Sequence, residues 1–386
     1  MVLCVSVVVS ALASGVVAWS TTSRMIDGLT RTPISPVATS TQPIASSTTP
    51  VTPATSFTPP IAVEARRGES IFPPAITERK LPSVALVVRD ATIPLAKDRT
   101  VLAQDHVVAE AVAMSADGWF MTTDGVLAHA RPQDCSLVWN GTAYTPTSIV
   151  RDTYTGLLFF KIPVNNILAS GVASRTDTDL GTPVWLESRP SRLQFVSIDD
   201  MRASSGASDL VGGDVVTRRY LVHAPNDLLI GAPAWDGSGR LVGLVDGGAA
   251  GAWHLIPAHV ANSALSALLS GSAITHATLG IHDVSDDAFV VGTSSTVRMR
   301  GGVVLAPDHR AGLPAVTRKG PSDGKLREGD VIERVENEVL DGTVELSELL
   351  LEYPAGTQLT LHGSRGDASL DTSVTLGSLQ TGIVLK

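Results

Sequence analysis

The first nineteen residues, MVLCVSVVVSALASGVVAW, carry no charged side chain. As a helix such a run measures about 28 Å, the thickness of one hydrocarbon core. It predicts a membrane-spanning helix or signal anchor over residues 1–23, with a cleaved signal peptide as the other reading. No Lys or Arg precedes the run, so its orientation has little support. From Thr32 to Val63 there is again no charge, but the residues are mostly Ser, Thr, Pro and Ala with few large apolar groups. Such a segment buries too little to offset its ordering entropy, which predicts a disordered, Pro-stiffened linker over 24–81. From about Pro82 short apolar runs take over: Ser83–Val88, Ala111–Met114, Trp119–Thr123, Ser136–Trp139, Leu157–Ile162, Pro183–Glu187, Tyr220–Ala224 and Arg240–Val245. Asp-Gly, Asn-Gly and Ser-Gly signals separate them, a spacing that predicts antiparallel barrels or a sandwich over 82–272. An amphipathic helix over Pro257–Gly271 closes this region. A second unit, 273–386, shows strands near Leu279–His282, Gly302–Leu305, Asp330–Val335, Gln358–His362 and Ser373–Leu376. One helix, Thr343–Tyr353, is stopped by Pro354-Ala355-Gly356. This reads as a small α+β module or a partly open barrel.

Composition narrows the chemistry. The 386 residues are 44% hydrophobic and 17% charged, with a net charge of −9. A large core is feasible, and the basic footprint of a nucleic-acid binder is missing. Nine histidines show no pair at metal-ligand spacing, and two cysteines, Cys4 and Cys135, cannot build a zinc site. No metal and no cofactor is expected. Gly237–Gly243 faintly suggests a dinucleotide loop, but no helix follows it, so it reads as a hairpin turn. Asn140-Gly141-Thr142 fits a turn as well as a glycosylation acceptor.

Residues 228–230, Leu-Leu-Ile, stand out because three bulky apolar residues sit where Gly231-Ala232-Pro233 announces a loop. The motifs around them supply a context. SADGWFMTTDGVLAHA, SLVWNGTAYTPTSIVRDTYTGLLFFKI, DLGTPVWLESRP, NDLLIGAPAWDGSGRLVGLV and HLIPAHVANSAL resemble, in that order, the landmarks of HtrA-type, trypsin-fold serine proteases. TLGI (Thr278–Ile281) and GKLREGDVIERVENEVLDGTVELSELL resemble the PDZ domain that follows the protease there. The resemblance spans roughly residues 82–377. It implies a mainly β fold, a trypsin-like double β-barrel followed by an α+β PDZ domain.

Catalysis in that fold needs a hydroxyl nucleophile, an imidazole and a carboxylate. By resemblance, the His position in the family's T-N-N-H-V-V-like stretch falls on Gly125. The Asp position in D-x-x-x-D-L-A-L-L-K falls on Gly156, and the Ser position in G-N-S-G-G-P falls on Ile230. None of the three offers a functional group, so an inactive protease homologue is expected. The alternative is an active endopeptidase of envelope protein quality control with a displaced triad. His129, Asp124, Ser238, His223 and Asp227 are the residues from which one could be rebuilt, and each reads more simply as a surface or turn residue.

The PDZ resemblance implies that the amides around Leu279, Gly280 and Ile281, with Thr278 and His282 beside them, receive a peptide's terminal carboxylate. Leu346 and Leu350 would line the side-chain pocket, although Leu346, Leu349 and Leu350 read equally well as core. The expected protein is membrane-anchored, with its globular part extracytoplasmic in the cell envelope. It would bind peptides or protein C-termini as a scaffold, or regulate active proteases. The family implies homo- or hetero-trimers. A purely structural module with a closed groove is the remaining reading.

Overall fold

The structure is a computed structural model that describes residues 83–89, 92–96, 99–102, 104–187, 193–203, 213–224, 228–249, 251–284, 289–291, 296–298, 302–309, 311–340 and 344–385. The expected membrane helix and linker, residues 1–81, lie outside the described residues. Among those described, no helix is long and apolar enough to cross a membrane. The described residues fall in one compact unit.

The short apolar runs become strands, in chain order β1 (Val84–Arg89), β2 (Thr92–Ala96), β3 (Arg99–Leu102), β4 (Val107–Ala113), β5 (Trp119–Thr123), β6 (Cys135–Trp139), β7 (Thr142–Tyr144), β8 (Ser148–Asp152) and β9 (Leu157–Lys161). All but the β2–β3 hairpin belong to one sheet, ordered β8-β9-β5-β4-β1-β6-β7. Its inner face buries Ala85, Val87, Ala111, Phe120, Leu137, Leu158 and Phe160 in one cluster. The next strands are β10 (Pro183–Glu187), β11 (Leu193–Ala203), β12 (Arg219–His223), β13 (Pro233–Trp235), β14 (Leu241–Ala249) and β15 (Ala252–Pro257). They close into a barrel, β10-β11-β12-β15-β14-β13. The alternation of Val184, Leu186, Tyr220, Val222, Leu255 and Val245 fills it.

The helix expected over Pro257–Gly271 is shorter. A 3₁₀ turn at Ala258–Ala261 precedes α1 (Asn262–Leu269).

The C-terminal module follows with β16 (Thr275–Thr278), β17 (Asp283–Val284), β18 (Phe289–Val291), β19 (Thr296–Arg298), β20 (Val303–Leu305), β21 (Asp330–Val335), β22 (Glu338–Val339), α2 (Leu346–Leu350), β23 (Gln358–Arg365), β24 (Ala368–Thr375), β25 (Gly377–Gln380) and β26 (Gly382–Val384). Strands β17-β20-β21-β23-β24 form its sheet, and β16 pairs with β25.

Two expectations are corrected here. No strand runs over Leu279–His282: β16 ends at Thr278, and a turn with Gly280 at φ +68° separates it from β17. The described helix covers Leu346–Leu350 rather than Thr343–Tyr353.

The tail of the module does not stay with it. β26 pairs antiparallel with β8 (Gly382 with Asp152, Val384 with Val150) and becomes the edge strand of the first sheet. The module is therefore joined to the barrels at both of its ends.

Candidate functional site

The three positions singled out in the sequence lie where the first sheet meets the closed barrel, a seam we call the cleft. Gly125 lies in the 3₁₀ turn Asp124–Ala128 that follows β5. Gly156 lies in the turn between β8 and β9, at φ +74°. The two turns meet where the Asp124 amide donates to the Gly156 carbonyl at 2.8 Å. Ile230 comes from the second barrel. A Cβ placed on Gly125 would lie 3.4 Å from Ile230 Cγ2, so Gly125 and Ile230 face each other. The same Cβ would lie only 2.6 Å from the Asp246 carbonyl oxygen.

The apolar run at 228–230 is held by both units. Leu228, 7% exposed, joins the core of the closed barrel, whereas Ile230 packs against the core of the first sheet. The Glu110 amide donates to the Ile230 carbonyl at 2.8 Å, and Ala109 and Ile230 form a parallel bridge. Gly231 follows at φ +74°, with no room for a Cβ, which would sit 2.0 Å from the Glu110 carbonyl oxygen. A small residue with left-handed freedom is what this close approach requires.

The charged groups of the cleft are paired with one another. Arg151 Nε donates to Asp124 Oδ2 at 2.9 Å, and Arg219 Nε donates to Asp246 Oδ2 at 2.9 Å. Burial pushes the Asp124 carboxyl up. Arg151 counteracts this, while the negative charge of Asp246 adds to it. Arg219 and Asp246 are mostly buried, whereas Arg151 and Asp124 are partly exposed.

The other candidates lie elsewhere. His129 is exposed. Ser238 donates to Asp236 within a surface turn. His223 Nδ1 lies 2.8 Å from Asp199 on the outer face of the barrel. Asp227 lies outside the described residues.

A hydroxyl, an imidazole and a carboxylate do occur in series at a different place. Ser263 Oγ lies 3.2 Å from His276 Nδ1, and His276 Nε2 lies 2.8 Å from Asp152 Oδ2. The His276 and Asp152 side chains are 1% and 0% exposed, so no substrate reaches the imidazole. Asp152 also accepts from Thr155 Oγ1 at 2.7 Å, and the Tyr154 ring lies 4.6 Å from His276. Burial would raise the Asp152 carboxyl, but the His276 hydrogen bond and charge outweigh it and hold the group below its usual value. This cluster joins β8, α1 and β16 and acts as structure.

In the C-terminal module, Leu279 (0% exposed), Ile281 (1%), Leu346 (3%) and Leu350 (1%) all enter the core. The two helix leucines expected to line a peptide pocket are buried, as is the whole of the short helix, Ser347 and Glu348 included. The turn itself behaves differently. The Leu279 and Gly280 amides donate to the Asp214 carboxylate at 2.9 and 2.7 Å, and Ile281 N lies 3.3 Å from it. The Thr278 hydroxyl donates to the same carboxylate. Burial pushes the Asp214 carboxyl up, and these donors pull it back in part. His282 binds the Pro314 carbonyl through Nδ1. Asp214 lies between β11 and β12, and sequence reasoning missed it. Its partners lie 64 to 67 residues further on, and the signal is limited to a carboxylate after two glycines.

Next to it, Thr217 N, Thr217 Oγ1 and Arg218 N all donate to Glu345. Burial, and then the neighbouring Glu348, push the Glu345 carboxyl up. Arg218 Nε lies 3.3 Å from Glu348 Oε1, with both side chains buried.

A sheet wrapped around one core with a closed barrel beside it makes a mainly β, trypsin-like barrel fold. That fold is similar to the one seen in solved HtrA-type proteases. The solved structure of the HtrA-type protease AlgW with a decapeptide is 18% identical at a TM-score of 0.53, covering 79% of this chain and 98% of that one. The same protease with a tripeptide is 19% identical at a TM-score of 0.52, covering 79% and 96%. Among curated proteins, Protease Do-like 1, chloroplastic, of Arabidopsis thaliana is 25% identical over 238 residues, 58% of this chain. The match spans 53% of that protein's length. No family model matches the sequence.

Proposed function

We propose that this chain is an HtrA-like pseudoprotease. It would be a membrane-anchored, extracytoplasmic protein whose barrels are catalytically inert and whose C-terminal module is a PDZ domain that recognises peptide segments. It works as a scaffold or as a regulator of active proteases, through mixed assembly with them. The observation that carries this reading is the convergence of Gly125, Gly156 and Ile230 in one cleft. There a backbone carbonyl, hydrocarbon and paired charges take up the space that proton transfer and nucleophilic attack would use. Peptide recognition is supported by the turn amides of Leu279–Ile281, which converge on a carboxylate, and by the peptide-bound AlgW structures, whose match covers more of this chain than the two β units occupy. The anchor is supported by the uncharged N-terminal run.

The test is incubation of the chain with unfolded casein and with a fluorophosphonate probe. Neither cleavage nor labelling is expected. Cleavage abolished by a single substitution in the chain overturns the reading.

A further inference from the structure

The three amides of the turn after β16 are aimed at one point, and that point is occupied by a side chain of the same protein. Asp214 Oδ1 takes the Leu279 amide, and Asp214 Oδ2 takes the Gly280 amide with the Ile281 amide at its margin. Consecutive amides that converge because the middle residue has left-handed backbone make an anion-binding concavity; here that residue is Gly280 at φ +68°. A peptide's terminal carboxylate needs the same donors.

The backbone next to Asp214 is also placed where a ligand would lie. A Cβ on Gly213 would sit 2.9 Å from the Ile281 carbonyl oxygen and 3.3 Å from His282 Cδ2. The other edge of this stretch is already taken: His282 N donates to Ala315 O, Thr317 N donates to Gly280 O, and Ile281 bridges Val316. Gly213 therefore meets the edge left open. The chain then passes between the two parts: Val216 N donates to the Tyr154 carbonyl of the first β unit at 2.9 Å, and Thr217 and Arg218 are held by Glu345 at the start of α2.

We infer that Leu279–Ile281 is a carboxylate receptor whose resident ligand is Asp214, so that segment 213–217 of the barrels closes the groove and a peptide with a free C-terminal carboxylate competes for the same amides. This rests on the peptide-binding reading above and adds its regulation. An internal ligand lowers apparent affinity by the fraction of molecules in which it is released. The groove is closed at rest and opens only to peptides that out-compete a tethered carboxylate.

The test uses the full chain, immobilised, and a fluorescein-labelled degenerate decapeptide library made twice, with free and with amidated C-termini. Wild type is compared with Asp214→Ala and with Asp214→Asn, which keeps the shape and removes the charge. Hydrogen exchange at the Leu279–Ile281 amides is followed without peptide. Both variants are expected to retain the free-carboxylate library about ten-fold more than wild type, with retention of the amidated library unchanged and turn amides that exchange at least about ten-fold faster. Equal retention of the free library by all three proteins, above the amidated one, overturns the internal ligand and leaves peptide binding standing. Faster exchange in the variants with no preference for free over amidated peptides overturns the peptide-binding reading, and the competition with it. Unchanged exchange in both variants overturns the contact itself.

Discussion

Rebuilding a Ser–His–Asp triad at its three equivalent positions is expected to destabilise the barrels without creating a protease. Gly125→His brings a Cβ to 2.6 Å from the Asp246 carbonyl oxygen. That neighbour is the main chain of β14, which cannot swing aside as a flexible side chain can, and overpacking of this kind costs about 1–3 kcal/mol. Gly156→Asp forces a side chain onto a residue at φ +74°, a conformation that costs L-residues about 1–2 kcal/mol. Arg219 Nη2, 3.4 Å from the new Cβ, offsets part of the added charge. Ile230→Ser withdraws a half-buried aliphatic group from the core of the first sheet, which costs about 1–2 kcal/mol.

Gly125 and Ile230 approach each other and Gly156 meets Asp124 beside Gly125, so the terms do not add strictly. Together they reach roughly 3–7 kcal/mol, a large share of the 5–15 kcal/mol that holds a typical domain. Guanidinium unfolding followed by tryptophan fluorescence should show the midpoint of the triple variant well below that of wild type. Fluorophosphonate should not label position 230. A wild-type midpoint, together with casein cleavage that vanishes when any one of the three changes is reversed, would refute the reasoning. The cleft would then have had room for the machinery all along.

Three further outcomes follow from other contacts. Arg219→Met leaves Asp246 without its partner, and both side chains are mostly buried (9% and 13% exposed). A loss of about 3–5 kcal/mol in denaturant stability is expected, and Arg219→Met combined with Asp246→Leu should recover much of it. Asp152 has a folded-state pKa below its usual 3.8, so its contribution is complete above that value and is lost as the pH falls through the folded-state pKa. The stability difference between wild type and Asp152→Asn should therefore shrink in strong acid, read by denaturant titration at a series of pH values. Leu346→Ala and Leu350→Ala should each cost about 2–5 kcal/mol by thermal melting, and peptide selectivity should change little, because both side chains lie in the core.

The sequence pattern carried the barrels further than it carried the site. β5, β10 and β21 fall on the residues that alternation and turn signals marked, because WFMTT and its like have no competing way to hide their apolar groups. β8 was invisible because Arg151 and Asp152 make SIVRD look like a loop. In the fold, Arg151 meets Asp124 and Asp152 meets His276, partners far along the chain that local periodicity does not sense. β11 likewise carries Asp199 and Asp200, which its exposed positions tolerate. The convergence of Gly125, Gly156 and Ile230 could be anticipated from the order of motifs. Asp214 could not, since its role arises from amides on another module.

The connection between that module and the cleft runs through two adjacent residues. Arg218 reaches Glu348 on α2, where both side chains are almost wholly buried, at 4% and 0% exposure. Arg219 reaches Asp246 in the cleft. Removing either partner of the Arg218–Glu348 pair would weaken the compensation of a buried charge, a cost of up to about 3–5 kcal/mol, with His259 3.7 Å from Glu348 and the Tyr220 ring beside Arg218 retaining part of it. Asp214 is held instead by hydrogen bonds, which water can replace with a smaller net loss, whereas Val216 is buried in the core shared by the two β units. Release of the Asp214 carboxylate therefore has its natural limit at Val216. Asp214 can leave the turn amides while Val216 and Arg218 stay fixed, and the Arg219–Asp246 pair persists in either state. The proposed inertness of the protease-fold unit and the proposed closure of the groove are in this sense mechanically separate, and substitutions at Asp214 should leave the Arg219–Asp246 pair undisturbed.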